Sequence, residues 1–373
     1  MAEQRNHKPL RDRFYWQYAP VAGELPALLR LQTLKRGNIT APRSVLIVNC
    51  CLIGDFVLSL PALTEYIREH PGTRIDLLVS PSVAALAQKL RGVHRVYAAK
   101  TVFRRDTELE ESERLAPTYD FVVVLRLSGP ARRLLAMTSY RAIRTCLIPL
   151  LKHGFQMATR PITQIKQMTE LNFEIFGKYG RKEQFFPADD VFDFSGVPVP
   201  ATYPGRTVLV HTGSGKKLYM WPREKWLALI QRLHQLKDLS FVFVGGTEEE
   251  QIAFEYLAGK VPFPLHSVIR RCGVLELVML MRVSDLFVGV DSGPRHLAHL
   301  VDLPSVSLLG PGPKSFQPLN SNATVIDETE CNRCVTFYCP HAPTCIEKIE
   351  VETVARACLK ALSAFGRNSG RGS

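Results

Sequence analysis

Short apolar runs alternate with helical patterns along the chain, and this alternation occurs twice. In the first half, four short runs bounded by turn or charged residues predict buried strands. These runs are Val45–Val48, Ile75–Val79, Arg95–Ala98 and Phe121–Leu125. Helical patterns between them include Pro61–Glu69 and Ser82–Leu90. Strand–helix alternation of this kind predicts a parallel sheet with helices on both faces.

The pattern restarts in the second half of the chain. The strands predicted there are Thr207–His211, Phe241–Val244, Leu286–Val290 and Val306–Leu309, and the helices are Trp226–Leu236 and Leu275–Met281. Between the halves, Phe186–Gly205 is rich in proline, which indicates a linker. We therefore expect an α/β fold of two doubly wound, Rossmann-like domains facing a central cleft. Ligands bind such folds beyond the carboxyl ends of the strands, so functional residues should follow strands directly.

The same patterns set the expected domain bounds. A basic N-terminal arm covers residues 1–40, and the two domains cover residues 41–190 and 191–350. Residues 366–373 are rich in Gly, Ser and Arg, and we expect this tail to be disordered. A chain of 373 residues is long enough for two domains of ordinary size.

Composition favours a soluble protein. The chain is 46% hydrophobic and 22% charged, which is normal for a globular protein. It has no apolar run of about 18 residues that would span a membrane. Met1–Pro20 lacks the apolar core of a signal peptide. We expect a cytoplasmic protein.

The net charge of +12 implies an anionic partner, for which nucleic acid, anionic lipid and phosphorylated sugars are all candidates. Residues 131–182 carry ten Lys or Arg against two acids, Glu170 and Glu174. The N-terminal arm mixes cations such as Arg11 and Arg13 with aromatic residues, as suits the anionic inner face of a membrane. The alternative is a basic face that only interacts with solvent.

The first motif, Ile53-Gly54-Asp55, follows the first predicted strand. Gly54 allows the backbone to approach a ligand closely, and Asp55 opens the next helix. Asp55 is a candidate general base at the floor of the cleft, because a carboxylate there can accept a proton. The alternative is that Asp55 only caps the helix.

The second motif is the loop His211-Thr212-Gly213-Ser214-Gly215-Lys216-Lys217, which leads to Trp221-Pro222. Backbone N–H groups and lysine ammonium groups in such a loop can hold phosphates. The loop lacks the Gly-Lys-Ser/Thr ending of a Walker loop. A plain surface turn is the alternative.

The third motif, Asp291-Ser292-Gly293-Pro294-Arg295-His296, follows another predicted strand. Ser292 is a favourable N-cap, and Pro294 suits the first turn of a helix. The N-terminus of this helix would stabilise a diphosphate through its N–H groups and its dipole. His296 lies one turn further on, beside the predicted anion site, although a histidine in such a position is often structural.

Four cysteines lie within 15 residues of one another: Cys331, Cys334, Cys339 and Cys345. Their spacing predicts a structural zinc or iron site, though it is not the paired CxxC pattern of a zinc ribbon. Free thiols are the main alternative. A disulfide is the third, and it is disfavoured in the cytosol.

Taken in order, these motifs resemble those of glycosyltransferase family 9, the lipopolysaccharide heptosyltransferases. The resemblance covers about Arg43 to Ala361 and includes Leu60-Pro61-Ala62-Leu63, Gly310-Pro311 and the cysteine run that ends at Cys345. It implies a GT-B architecture whose last helix, residues 351–365, returns to the N-terminal domain. It also implies inverting transfer of heptose from an ADP-activated donor to a lipopolysaccharide core or lipid A-linked acceptor, without a catalytic metal or other cofactor.

The resemblance assigns roles to individual residues. Asp55 matches the proposed catalytic base of the family. Gly54 and, from the basic stretch, Arg132 and Arg133 are candidates for the acceptor side. The donor-binding candidates are Thr212, Ser214, Lys216, Lys217, Glu249, Asp291, Ser292, Gly293, Pro294 and His296. The sequence departs from the family at Tyr219, where members typically carry Lys, and at Asn49, where some members do, and these departures concern the donor rather than the fold.

Three other classes of protein compete with this interpretation. A nucleotide-cofactor oxidoreductase would carry G-x-G-x-x-G after its first strand, and that motif is missing. A nucleic-acid binder is suggested by charge alone, and we expect no nucleic-acid partner because no such motif is present. A catalytically inactive relative that binds sugar nucleotide or an anionic membrane surface would look similar, although Asp55 and the 291–296 motif favour an enzyme.

Overall fold

The computed structural model describes residues 39, 41–99, 115, 118–146, 167–178, 186–215, 217–236, 238–310, 321–329, 339 and 341–364, with only the backbone of residues 129, 130 and 217. The chain divides into two compact units, and the division falls between residues 183 and 184. Residues 1–38 of the predicted arm and the predicted tail lie outside the described residues. No helix in the described ranges is long and apolar enough to cross a membrane.

The first unit is built around a parallel sheet. Its strands are β1 (Ser44–Asn49), β2 (Arg74–Val79), β3 (Arg95–Ala98), β4 (Thr118–Arg126) and β5 (Ser139–Thr145). Its helices are α1 (Ile53–Glu69), α2 (Pro81–Ala87), α3 (Gly129–Ala136) and α4 (Met168–Ile175). Every residue of β1 and β2 after the first is buried, as expected for strands that are covered on both faces.

The strands of this sheet run in the order β3-β2-β1-β4-β5. The pairings are all parallel. The order reverses between β1 and β4, and this switch point is where open α/β sheets bind ligands. The segments that follow β1 and β4 are therefore where functional residues of the first unit are expected.

The second unit repeats the design with a larger sheet. Its strands are β6 (Arg206–His211), β7 (Leu239–Phe243), β8 (His266–Ser267), β9 (Leu286–Val290), β10 (Ser305–Leu309) and β11 (Ala323–Asp327). Its helices are α5 (Ala188–Val191), α6 (Arg223–His234), α7 (Glu248–Ala258), α8 (Val274–Arg282), α9 (Gly293–Leu300), α10 (Cys345–Lys348) and α11 (Val351–Ala364). The strand order is β11-β10-β9-β6-β7-β8, which reverses between β6 and β9.

The predicted α/β fold is confirmed, and all eight predicted strands are present in two parallel sheets. The prediction missed β5, β8 and β11, which lie at sheet edges. β11 buries only Ile326, and neither residue of β8 is fully buried. Edge strands of this kind lack the continuous apolar run from which the other strands were predicted.

The stretch expected to be a linker folds within the second unit. It forms α5 and buries Phe192. Arg282 of α8 pairs with Asp189 at 2.7 Å and lies over the ring of Phe194. The proline-rich pattern therefore marked an irregular but packed segment of the second unit.

Helix α11 covers Val351–Ala364, close to the predicted range, and its buried face belongs to the second unit. Val354, Ala355, Cys358 and Leu362 belong to the core of the second unit, together with Trp226. The helix packs against α6, β9 and β10. This face of α11 completes the second unit, and the return to the N-terminal domain that the family pattern implies stays a prediction.

Candidate functional site

Asp55 lies in the first turn of α1, directly after β1. Helix α1 begins at Ile53 with Leu52 as its N-cap, so Asp55 is not the capping residue. Its side chain is 21% exposed, and Oδ1 lies 3.8 Å from Nη2 of Arg126. Burial raises the pKa of Asp55 above its ordinary value, and the Arg126 guanidinium opposes this shift. A partly exposed carboxylate with a raised pKa is suited to accept a proton.

The backbone beneath Asp55 is held by hydrogen bonds between neighbouring elements. The N–H of Cys50 donates to the carbonyl of Arg126 at 3.1 Å, which joins the ends of β1 and β4. Asn49 is buried, and its Nδ2 donates to Oγ of Ser59 in α1 at 2.8 Å. Asn49 therefore ties the end of β1 to the second turn of α1.

The predicted acceptor-side residues come from the same edge of the sheet. Gly54 is the neighbour of Asp55 in the first turn of α1. Arg132 and Arg133 are exposed on α3, the helix that follows β4. The N–H of Ala131 donates to the capping Ser128, which anchors the start of α3. The residues that follow both strands of the switch point thus include a carboxylate and several cations.

In the second unit, three side chains form a chain of hydrogen bonds at the switch point. His211 is the last residue of β6 and is 3% exposed. Its Nε2 lies 2.8 Å from Oε1 of Glu250, and its Nδ1 lies 3.1 Å from Oγ of Ser292. Ser292 is the N-cap of α9, but its side chain makes no capping hydrogen bond. The serine hydroxyl is held by His211 instead.

Glu250 is the buried end of this chain. Its Oε2 accepts hydrogen bonds from the backbone N–H groups of Gly246 at 2.7 Å and Thr247 at 2.8 Å. Burial alone would raise the pKa of Glu250, but the hydrogen bonds and the charge of His211 outweigh it and lower the pKa to about 2. An ionised carboxylate only accepts hydrogen bonds, so Nε2 of His211 carries a hydrogen.

Two glycines allow Glu250 to reach His211. A Cβ on Gly213 would lie 2.2 Å from Cγ of Glu250, and one on Gly245 would lie 2.5 Å from its Oε2. Any larger residue at either position would displace the carboxylate. The Gly/Ser loop of the second motif is therefore shaped in part around Glu250.

Asp291 and Arg295 pair one turn apart at the start of α9. Asp291 Oδ1 lies 2.9 Å from Nη2 of Arg295, whose side chain is completely buried. His296 is also buried, and burial, Arg295 and His299 together lower its pKa well below the ordinary value. His296 is therefore an interior residue of α9, and its predicted role in donor binding stays a prediction.

The remaining donor-side candidates are spread over the same edge of the second sheet. Thr212 is buried, whereas Ser214, Gly293 and Pro294 are partly exposed. Glu249 is exposed on the first turn of α7, and its neighbour Glu250 is the residue that reaches the switch point. Lys216 and the side chain of Lys217 lie outside the described residues.

Sequence reasoning missed Arg126, Glu250 and Arg295. The run Glu248–Glu250 indicates the start of a helix, but only the helix register determines which of the three side chains turns inward. Arg126 ends a strand that was predicted one residue too short to include it. Arg295 lies within a quoted motif, yet a buried arginine is not expected from sequence alone.

The Trp-Pro motif is structural. Trp221 is 2% exposed, packs edge-to-face on Trp226 and donates from Nε1 to the carbonyl of Ile349 at 3.1 Å. Lys225 Nζ donates to the same carbonyl at 2.9 Å. These contacts anchor the segment between α10 and α11 to the core of the second unit.

The cysteine cluster is described only in part. Cys339 and Cys345 are half-buried, while Cys331 and Cys334 lie outside the described residues. Within the described ranges, no three His, Cys, Asp or Glu side chains are grouped so as to hold a metal ion. The metal site remains a prediction.

The sequence matches known proteins over both units. The family model of "Glycosyltransferase family 9 (heptosyltransferase)" matches residues 166–344. The lipopolysaccharide heptosyltransferase 1 of Campylobacter coli is 26% identical over 155 residues, which cover 40% of this chain and 45% of that relative. The lipopolysaccharide heptosyltransferase 1 of Pseudomonas aeruginosa is 24% identical over 330 residues, covering 80% of this chain and 88% of that relative.

The fold is similar to that of a solved enzyme. The structure of "E. coli heptosyltransferase WaaC with ADP" superposes with a TM-score of 0.63 at 20% identity, covering 85% of this chain and 99% of that one. The two parallel-sheet units are those of the GT-B architecture. The chain matches the model of glycosyltransferase family 9, the heptosyltransferase family, over residues 166–344, and it is similar in sequence and fold to lipopolysaccharide heptosyltransferases.

Proposed function

We propose that this chain is an inverting glycosyltransferase of lipopolysaccharide biosynthesis that transfers heptose, or a related sugar, from an ADP-activated donor to a core acceptor. The observation that carries this proposal is the placement of polar residues at the switch point of each sheet. The first switch point has an acid–cation pair, and the second has a polar helix start. The names of the relatives support heptosyl transfer, and the solved E. coli heptosyltransferase with ADP supports the donor nucleotide.

Asp55 is the proposed general base. Its carboxylate takes the proton of an acceptor hydroxyl while the acceptor oxygen bonds to the anomeric carbon of the donor. The bond from that carbon to the diphosphate oxygen breaks, and the nucleoside diphosphate leaves. Attack from the face opposite the leaving group inverts the anomeric centre. The raised pKa of Asp55 supports this role, because a base is most effective when its pKa approaches the working pH.

The start of α9 is the proposed diphosphate site. A helix N-terminus stabilises negative charge through its N–H groups and its dipole, which assists the departure of a diphosphate without a metal ion. No acidic residue lies in the first turn of α9, and the carboxylate of Asp291, which precedes the N-cap, is paired with Arg295 at 2.9 Å. Ser292, Gly293 and Pro294 are partly exposed at this end, which supports access by a ligand.

The acceptor is proposed to be a lipopolysaccharide core or lipid A-linked saccharide, met in the cytoplasm at the inner face of the membrane. Arg132 and Arg133 are exposed on α3 and follow a strand of the first switch point. Such cations suit a phosphorylated acceptor and an anionic leaflet, where each contributes about 1 kcal/mol. The alternative, a catalytically inactive relative of the heptosyltransferases, would bind the same donor and acceptor without transferring the sugar.

A donor screen tests the proposal. Purified protein is incubated with a truncated lipid A core acceptor and, separately, ADP-heptose or UDP-sugars, and mass spectrometry follows the acceptor. We expect a mass increase of one heptose with ADP-heptose only. Asp55→Asn, which keeps the side-chain size, is the matched control and should form little product. Donor binding without product from any donor would favour the inactive relative.

A further inference from the structure

The side chains of Glu250, His211 and Ser292 connect the first turn of α7 to the start of α9. Glu250 and His211 are almost completely buried, with side-chain exposures of 7% and 3%. Ser292 is partly exposed at the other end of the chain. The buried carboxylate of Glu250 and the buried imidazole of His211 are thus linked by hydrogen bonds to the partly exposed hydroxyl of Ser292. We call these three residues the 250–211–292 relay.

The hydrogen bonds of the relay pair specific atoms of its three residues. Oε2 of Glu250 is occupied by the N–H groups of Gly246 and Thr247 and by the hydroxyl of Thr247, which leaves Oε1 for His211. The ionised carboxylate requires a hydrogen on Nε2 of His211, so the imidazole plane is fixed. For the Ser292 hydroxyl to keep its hydrogen for a diphosphate, Nδ1 must donate to the serine oxygen, which requires the charged imidazole that pairing with the ionised Glu250 favours.

The ring of His211 has little freedom to turn. It stacks on Phe287 with ring centroids 6.4 Å apart. A Cβ on Gly289 would lie 3.0 Å from the Cβ of His211, so the backbone of the neighbouring strand β9 packs closely against the base of the His211 side chain. Packing and hydrogen bonding therefore hold the ring in a single orientation.

We infer that Glu250 and His211 are positioning residues, which act through the Ser292 hydroxyl to set it for the diphosphate of the donor. This inference rests on the proposed function, because it takes the start of α9 as the diphosphate site. Serine at an N-cap normally bonds to the N–H groups of its own helix. Here the hydroxyl is bonded to His211, and its place is set by the sheet rather than by the helix it caps.

A double-mutant cycle on nucleotide binding tests the inference. The dissociation constant of ADP is measured by calorimetry for the wild type, Ser292→Ala, His211→Gln and the double variant. Gln offers an amide donor toward Glu250 but no atom at the Nδ1 position. We expect each single variant to weaken ADP binding by about tenfold, the scale of one hydrogen bond to a charged group. The double variant should be no weaker than the weaker single variant.

Further variants separate positioning from folding. Ser292→Thr keeps the hydroxyl and should bind ADP within about threefold of the wild type, consistent with the effect of a retained hydrogen bond. His234→Gln changes an exposed histidine of α6 and should leave binding unchanged. Thermal melting of each variant checks that it is folded, and inorganic pyrophosphate as a competitor should show the same pattern as ADP.

The possible results are distinct. If the losses from Ser292→Ala and His211→Gln multiply in the double variant, His211 acts independently of Ser292 and the inference is overturned. If His211→Gln binds ADP as the wild type does, the relay has no role in binding. If the folded wild type binds neither ADP nor pyrophosphate, the proposed diphosphate site fails, and the inference fails with it.

Discussion

Asp55 and Arg126 meet where the strand order of the first sheet reverses, with Oδ1 and Nη2 3.8 Å apart. Asp55 follows β1, and Arg126 ends β4, so residues 71 positions apart in the chain become neighbours through one strand pairing. The guanidinium is close enough to oppose the effect of burial on the pKa of Asp55, yet too far for a short hydrogen bond. The carboxylate therefore remains available to a substrate.

Replacing Asp55 with Ala should reduce kcat by about a hundredfold or more, the scale of a lost general base. ADP binding should survive, because the proposed diphosphate site belongs to the other sheet. Steady-state kinetics and calorimetry on the same preparation measure the two effects. If Asp55→Ala turned over at a near-normal rate, Asp55 would not be the general base.

Replacing Arg126 with Gln should move the acidic limb of the kcat/KM profile to higher pH. The guanidinium opposes the rise in the pKa of Asp55, so its loss raises that pKa further. The base works only when ionised, and activity should then begin to fall at a higher pH. Arg95→Gln, at an exposed position of β3, is the control and should leave the profile in place. If the acidic limb of the Arg126→Gln profile stays at the wild-type pH, that limb does not reflect the ionisation of Asp55.

Stability at acid pH should depend on Glu250. Its pKa is lowered to about 2 from an ordinary value of 4.5. The ionised form therefore contributes stability that is fully present above about pH 4.5 and is lost as the pH falls through about 2. The loss is of the order of 3 kcal/mol, given about 1.4 kcal/mol per pKa unit. Urea unfolding from pH 7 to pH 3 should show a steeper decline for the wild type than for Glu250→Gln, and equal slopes would contradict this.

Binding to anionic vesicles should depend on the exposed cations of α3. Changing Arg132 and Arg133 to Glu should weaken co-sedimentation with anionic vesicles, since each cation near such a surface contributes about 1 kcal/mol. The wild type should bind anionic but not neutral vesicles, and added salt should weaken the binding. Equal binding to both kinds of vesicle, or to neither, would exclude this membrane contact.

Protein purified without chelator should contain zinc or iron if the four cysteines form a metal site. Elemental analysis measures the metal content, and Cys331→Ser with Cys334→Ser should abolish it. The site is predicted to be structural, so loss of metal should lower the melting temperature more than it lowers kcat. If the wild-type protein contained no stoichiometric metal, the predicted metal site would be wrong and the free-thiol alternative would remain.

The local sequence determined the strands that are covered on both faces and the loops that follow them. Val45–Val48 and Leu286–Val290 are continuous apolar runs because no face of these strands meets water. Ser292 and Pro294 mark the start of α9, since an N-cap and a first-turn proline are local signals. These features were predictable because they depend on neighbours in the chain.

Tertiary structure decided which side chains meet. Nothing local distinguishes Glu249 from Glu250, but the register of α7 turns only Glu250 toward His211. Arg295 and His296 lie within a motif that predicts a ligand site, yet the packing of α9 buries both. The amphipathic pattern of α11 showed that one face is buried, and only the fold showed that this face meets the core of the second unit. Contacts between distant segments depend on strand order and helix register, which local patterns do not encode.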